Sequence, residues 1–361
     1  MRLLIVRLSA LGDVVHTLPL AAALRRAFPD GAIDWVVDER NADLLTLVPV
    51  LDRVVVLRTR SRPALPALAE CRRTLRRRGY DVALDAQGLG KSALVARLSG
   101  AARIVGFATP FLRERWARWL YTERVDPGRP RHVVARNLGL GAALGADAPA
   151  WSFPIRTASS EAPARTRARL GLGAATALGS GRFALLNPNA AWASKRWPAE
   201  RFGAVASWLR RTHRLPSAVL WGPGDEARAA AVADASDGAA AVAPPTGLRD
   251  LVALARAAAV MVSGDTGPLH VAAAVGTPVV GLYGPSDPSR NGPWSPGDVV
   301  VSRFAACRCR PARGGAGGSD AGSSDRMVRV CRSTARCLDD IPVEDVTAAV
   351  DRRLRSVLTD A

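Results

Sequence analysis

The sequence predicts an α/β protein made of two successive doubly wound domains facing a cleft. Three observations lead there. Short apolar, β-rich runs alternate with helical patterns through the first half, joined by short turns, and such alternation argues a parallel sheet covered on both faces. The alternation stops over residues 157–181, where Ala, Gly, Ser, Thr and Arg dominate, and then starts again. The polar, glycine-bearing motifs follow strands, and open parallel sheets bind ligands at the carboxyl ends of their strands.

In the first half, strands are expected at residues 3–6, 33–37, 54–57 and 82–84. Helices are expected over 14–28, 65–78 and 91–98, the first stopped by Pro29, Asp30 and Gly31 and the second by Gly79, residues that end helices rather than extend them. A further helix is expected near 164–170, inside the compositional break. In the second half, strands fall at 183–186, 218–221, 260–262 and 279–282, with helices over 199–211, 226–235 and 248–257. Residues 343–358 form a final amphipathic helix. The domain boundary is placed between 160 and 161, giving domains of 1–160 and 161–361. The Gly-, Ala- and Ser-rich stretch 312–324 reads as a floppy surface insertion.

A chain of 361 residues, nearly half of them apolar, is long enough for two cores. No run of eighteen apolar residues is present, and the first residues read as a strand rather than a secretory signal, so a cytoplasmic location is expected. The formal net charge of +18 comes almost entirely from arginine and favours anionic partners. No zinc-finger spacing, basic zipper or aromatic RNA-binding signature accompanies it, so nucleic acid is not an expected partner. Arginines and tryptophans mix between Arg113 and Tyr121. That mixture suits a membrane–water interface, and equally a helix packing its tryptophans inward. Of five cysteines, Cys71 lies in an arginine-rich helical stretch and reads as a half-buried thiol. Cys307, Cys309, Cys331 and Cys337 cluster late; their spacing is not a standard zinc pattern, and free thiols are the simpler reading.

The most informative stretch is Asp265-Thr266-Gly267-Pro268-Leu269-His270. A strand leads into it and small helical residues lead out, so it lies at a helix N-terminus. The first helical N–H groups have no intrahelical partner and carry the positive end of the dipole, and Gly267 lets an anion approach the backbone. This is a seat for a diphosphate, or else an ordinary capped helix. Gly12-Asp13 follows the first strand, and Asp13 is either a helix N-cap or a general base, with His16 one turn on. The run from Asp85 through Gln87, Gly88, Gly90, Lys91 and Ser92 resembles a Walker loop but lacks its spacing, so a nucleoside triphosphatase is rejected. The run from Asn187 to Pro198 offers small residues and the point charge of Lys195 to a phosphate. Gly224-Asp225-Glu226 offers a carboxylate to ribose hydroxyls, or a helix-capping acid. No Asp-x-Asp pair is present, which favours stabilisation of a leaving group by protein alone. No Gly-x-Gly-x-x-Gly follows the first strand, which excludes the common dinucleotide oxidoreductase pattern.

Taken in order, Ser9 to Pro19, Asp85 to Ala93, Lys195 to Pro198, Asp265 to His270 and Tyr283 to Pro288 resemble the motifs of the bacterial lipopolysaccharide heptosyltransferases, closest to the type I enzymes. The resemblance runs from Met1 to about Trp294. It implies a GT-B fold of two Rossmann-like domains, the first binding the acceptor and the second the nucleotide sugar. It implies an inverting transfer of L-glycero-D-manno-heptose from ADP-heptose to the Kdo sugar of Kdo-lipid A, without metal or other cofactor. Asp13 would be the catalytic base. Lys195, Glu226, Asp265, Thr266, Gly267 and His270 would hold the donor. Arg60, Arg62, Gln87, His132 and Arg136 would hold the acceptor. The enzyme would work at the cytoplasmic face of the inner membrane. Trp192 stands where the type I enzymes tend to be more polar, a departure that bears on the donor. The late cysteines and the 312–324 stretch look more like the broader heptosyltransferase group, so a type II-like enzyme adding heptose to heptose, or one acting on a related surface glycan, stays open. A basic nucleotide- or nucleic-acid-binding protein is the reading from another class, carried by charge alone.

Overall fold

The computed structural model describes residues 1–128, 132–147, 151–173, 181–307 and 336–359. The chain divides into two compact units, Met1–Arg156 and the described residues from Thr157 onward.

The first unit runs β1 (Arg2–Val6), α1 (Leu11–Val15), α2 (Leu18–Ala27), β2 (Ala32–Asp38), α3 (Ala42–Leu45), β3 (Arg53–Leu57), α4 (Ala64–Arg76), β4 (Val82–Asp85), α5 (Gly90–Leu98), β5 (Arg103–Phe107), a 3₁₀ segment (Arg115–Leu120), β6 (Glu123–Val125) and α6 (Val133–Ala142). Its strands form one parallel sheet in the order β3-β2-β1-β4-β5-β6. The central strands are buried on both faces, which is why Leu3, Leu4, Ile5 and Val6 form a continuous apolar run rather than an alternating one.

The second unit runs α7 (Ala162–Arg169), β7 (Ala184–Asn187), α8 (Ala199–His213), β8 (Ser217–Val219), α9 (Glu226–Asp234), β9 (Ala240–Val242), α10 (Leu248–Ala257), β10 (Val260–Gly264), α11 (Gly267–Ala274), β11 (Val279–Tyr283), α12 (Pro288–Asn291), β12 (Val299–Ser302) and α13 (Val343–Thr359). Its sheet, also parallel, has the order β12-β11-β10-β7-β8-β9. Renumbered within the unit, this is the same topology as the first. One core joins Leu186, Phe202, Val262 and Leu282 to Ile341, Val346 and Val350 of the C-terminal segment. Trp197 ties the two together, its indole N–H donating to the Ile341 carbonyl at 3.1 Å.

The topology has one consequence for function. In each sheet the strand order reverses between two central neighbours, β1 and β4 in the first unit and β7 and β10 in the second. Crevices open at such switch points, beyond the carboxyl ends of those strands.

Most expected elements are present within a few residues. The helix expected over 14–28 is a correction: it is broken into α1 and α2 at His16 and Thr17. Pro19 explains the break, because it has no N–H to give and its ring clashes with the carbonyl four residues back. The buried junction is stitched instead by side chains. Thr17 donates its hydroxyl to the Asp13 carbonyl at 2.8 Å, and Asn137 of α6 donates its amide to Thr17 and to the His16 carbonyl. β5, β6, β9, β12, α3 and α6 add to the expected set.

Candidate active site

Each switch point carries a cluster of polar side chains. In the first unit the chain leaves β1 through Arg7, Leu8, Ser9 and Ala10 and enters α1, with Asp13 in its first turn. The Asp13 carboxylate accepts the Ala10 backbone N–H at 3.2 Å and pairs with the Arg7 guanidinium at 2.8 Å. Arg7 is buried, while about a quarter of the Asp13 side chain remains exposed, 24%. Arg7 also donates to the Ala86 carbonyl, beyond the end of β4. Gln87, on the same turn, accepts the backbone N–H groups of Leu8 at 2.7 Å and Ser9 at 3.4 Å. The turn after β4 therefore holds the turn after β1, and with it the carboxylate.

Beneath that turn lies Asp85, fully buried. It accepts from the Gln87 and Gly88 N–H groups, from the Ser92 hydroxyl at 2.9 Å and from the Tyr121 hydroxyl at 2.7 Å. Burial raises its pKa above the ordinary carboxylate value, and the four neutral donors offset only part of that effect. The same burial, with the neighbouring Asp85, pushes the Tyr121 phenol up.

Two more expected acceptor residues lie at the start of α6. His132 is the N-cap of α6; its Nδ1 accepts the Val134 N–H at 3.2 Å, and its ring meets that of buried His16 edge to face, 5.7 Å between centroids. Arg136, one turn later, lies over the Phe111 ring at 5.6 Å. Arg60 and Arg62 sit elsewhere, on the turn after β3. Glu39 accepts the backbone N–H groups of Arg60 and Ser61 and the Ser61 hydroxyl, and these bonds lower its pKa, the Ser61 hydroxyl most. The Arg62 guanidinium pairs with Glu70 at 2.6 Å.

In the second unit the turns after β7 and β10 meet. Asp265, 6% exposed, is the centre. Lys195 reaches one carboxylate oxygen at 2.5 Å; His270 at 3.1 Å and the Asn291 amide at 2.7 Å reach the other. Burial works against ionisation of Asp265, but the hydrogen bond from His270, the Lys195 charge and their further interactions outweigh it. The carboxyl is held well below its ordinary range. Gly264 makes the approach possible, since a Cβ there would lie 3.1 Å from the Lys195 carbonyl oxygen. Lys195 also lies 5.2 Å from the centre of the Trp192 ring.

Thr266 is the N-cap of α11, yet its hydroxyl does not cap the helix. It accepts the Asn187 amide at 2.9 Å and lies 3.1 Å from the Ser263 hydroxyl. Gly267 and Pro268 open the helix, leaving its first-turn amides without side-chain caps. Glu226, exposed, opens α9 after the turn at Gly222–Asp225.

The structure thus gathers Lys195, Asp265, Thr266, Gly267 and His270 around one helix N-terminus, and Asp13 and Gln87 around one turn. Sequence reasoning missed Arg7, Asn291 and the Asp85–Tyr121 pair. Arg7 had a visible signal, a charge directly after an apolar strand. Asn291 had none, being brought in by α12 from beyond β11. Cys307 and Cys337 are buried; Cys309, Cys331 and the 312–324 stretch lie outside the described residues. Cys71 is buried, and burial pushes its thiol up to about 11. No group of three or more His, Cys, Asp or Glu that could hold a metal ion occurs among the described residues.

The chain is similar to known proteins. The sequence pattern of glycosyltransferase family 9 (heptosyltransferase) matches residues 68–314. The chain is 30% identical over 317 residues to lipopolysaccharide heptosyltransferase 1 of Pseudomonas aeruginosa, covering 85% of each protein. It is 32% identical over 298 residues to lipopolysaccharide heptosyltransferase 1 of Salmonella typhimurium, covering 80% of this chain and 90% of that one. The solved structure of E. coli heptosyltransferase WaaC with ADP-2-deoxy-2-fluoro heptose is similar with a TM-score of 0.72 at 25% identity, covering 97% of this chain and 99% of that one. The fold, two parallel doubly wound sheets, is that of the GT-B glycosyltransferases. This chain belongs to glycosyltransferase family 9, the heptosyltransferases, and is a glycosyltransferase.

Proposed function

We propose that the protein transfers L-glycero-D-manno-heptose from ADP-heptose to the Kdo sugar of Kdo-lipid A, a step in building the lipopolysaccharide inner core. The observation that carries this reading is the pair of side-chain sets at the two switch points. One presents a partly exposed carboxylate, Asp13, held by a buried arginine. The other presents a helix N-terminus beside a half-buried lysine, Lys195. The relatives named for heptosyltransferase 1 support the type I acceptor, and the solved relative holding a fluorinated ADP-heptose supports the donor.

In this reading Asp13 accepts the proton of the attacking Kdo hydroxyl, which adds to the anomeric carbon as the bond to the diphosphate breaks. One displacement inverts the anomeric centre. The departing ADP takes the electron pair, and its charge is met by the α11 amides and the Lys195 ammonium. Asp265 fixes that ammonium and leaves it further protons to donate. Glu226 holds ribose hydroxyls. The acceptor side is carried by Arg60, Arg62, Gln87, His132 and Arg136. No metal is required, because protein groups supply the positive charge. Since the acceptor is a lipid, the reading places the enzyme at the cytoplasmic face of the inner membrane. No helix among the described residues is long and apolar enough to cross it.

The test is incubation with ADP-heptose and Kdo-lipid A, followed by mass spectrometry of the lipid. The expected result is a gain of one heptose at a rate that excess chelator leaves unchanged. A gain only on a core already carrying heptose overturns the acceptor assignment. A gain on neither overturns the reading.

A further inference from the structure

Five large apolar side chains are exposed among the described residues: Met1, Leu65, Leu94, Trp116 and Trp119. The last three belong to one surface of the first unit. Leu94 lies on the outward face of α5, between Lys91 and Arg97 at three-residue spacing, all exposed. The 3₁₀ segment Arg115–Leu120 packs on that helix. The Trp116 ring lies so close to Gly90 that a methyl group there would overlap it, and Glu114 accepts the Gly90 N–H at 2.7 Å.

The segment is firmly seated. Leu112, Ala117 and Tyr121 are buried, and Tyr121 reaches Asp85. Between these anchors Trp116 is 55% exposed and Trp119 74%. A helix burying its tryptophans would show the reverse. Arg113 and Arg115 are exposed beside them, and Arg118 stacks over the Trp119 ring at 4.6 Å. The acid of the segment, Glu114, is spent on the α5 backbone.

We propose that this α5–Trp119 surface docks the protein on an anionic phospholipid bilayer. Indole rings settle at headgroup depth, where one edge is apolar and the N–H stays wet. The surrounding lysine and arginines attract acidic headgroups. The charge also argues against a second copy as the occupant, since two such faces would repel. The inference deepens, and for its purpose rests on, the reading of a lipid-borne acceptor: it names the surface that brings the enzyme to that lipid.

The test is flotation of the whole protein with vesicles of phosphatidylethanolamine and phosphatidylglycerol, and with vesicles of phosphatidylcholine, with no donor or acceptor present. The parent is expected to float with the acidic vesicles, less at high salt, and far less with the neutral ones. Trp119→Ser should lower the partition constant several-fold. Arg113→Gln and Arg115→Gln should each lower it about fivefold. Transfer to a delipidated, water-soluble Kdo acceptor should be unchanged in all three variants, which separates docking from chemistry. Loss of that transfer in the parent would sink the functional reading and leave docking standing. A parent that does not float, or variants that float as the parent does, would overturn the docking surface. So would variants whose only change is lost self-association or lost binding to a single-stranded oligonucleotide.

Discussion

Asp85 and Asp265 occupy matching places. Each lies at the carboxyl end of the strand that forms the far side of a switch point, β4 in the first unit and β10 in the second. Both are buried, at 0% and 6% exposure, and both are fully hydrogen-bonded. Yet burial wins at Asp85, whose pKa is raised, and loses at Asp265, whose pKa is lowered. The difference lies in the donors. Asp85 has hydroxyls and backbone amides; Asp265 has an ammonium and an imidazole. Neutral donors satisfy a buried carboxylate without compensating its charge. The first arrangement suits a brace and the second suits a place where charge must be managed. The ionised Asp265 carboxylate fixes the Lys195 side chain through their 2.5 Å ion pair.

The largest expected effect belongs to neither buried acid but to the partly exposed one, Asp13. Asp13→Ala should lower kcat by roughly 10²–10⁴, the range for loss of a positioned general base. ADP binding, measured by calorimetry, should be unchanged, because Asp13 belongs to the other unit's turn. Turnover within a few-fold of the parent would remove the base assignment and make Asp13 a brace like Asp85.

Lys195→Ala should come next. It strips the cation from a buried carboxylate, at a cost of about 3–5 kcal/mol in unfolding free energy by denaturant titration. ADP affinity should fall with it. The double change Lys195→Met with Asp265→Asn removes both charges and should recover most of the stability, while transfer stays lost. If the single lysine variant is as stable as the parent, the two acids are alike and the contrast fails.

Much of this was legible in the sequence, for reasons that differ by region. The turns at Asp13, Lys195 and Asp265 were visible because glycines, prolines and short polar runs punctuate strong apolar strands. β9, three alanine- and valine-rich residues on a sheet edge, has no such contrast with its surroundings. α6 was hidden because Gly139 and Gly141 weaken its helical pattern; packing against α2 makes up what propensity lacks. The Arg7–Asp13 pair could not be read from six-residue spacing, since it needs the chain to double back after β1. The His270–Asp265 bond was read only as proximity to a shared ligand. That it is a buried contact follows from the turn geometry, which no residue pattern specifies.

The smallest effect is one of pH, and its sign separates the two acids. Asp265 has a folded pKa below its unfolded value of about 4. Its contribution to stability is therefore complete at neutral pH and is lost only as pH falls below about 4, through the depressed folded value. Asp85 has a folded pKa above the unfolded one. Its favourable contribution is complete below about pH 4 and is lost as pH rises through the raised folded value. Unfolding free energies measured from pH 7 downward should show this by difference. The parent should gain on Asp85→Asn as the solution is acidified toward pH 4, because the native carboxyl protonates and the amide does not titrate. Over the same interval the parent should hold a constant margin over Asp265→Asn. Parallel curves for the two variants would mean that Tyr121 and Ser92 compensate charge as well as Lys195 does, and that the two switch points are electrostatically equivalent.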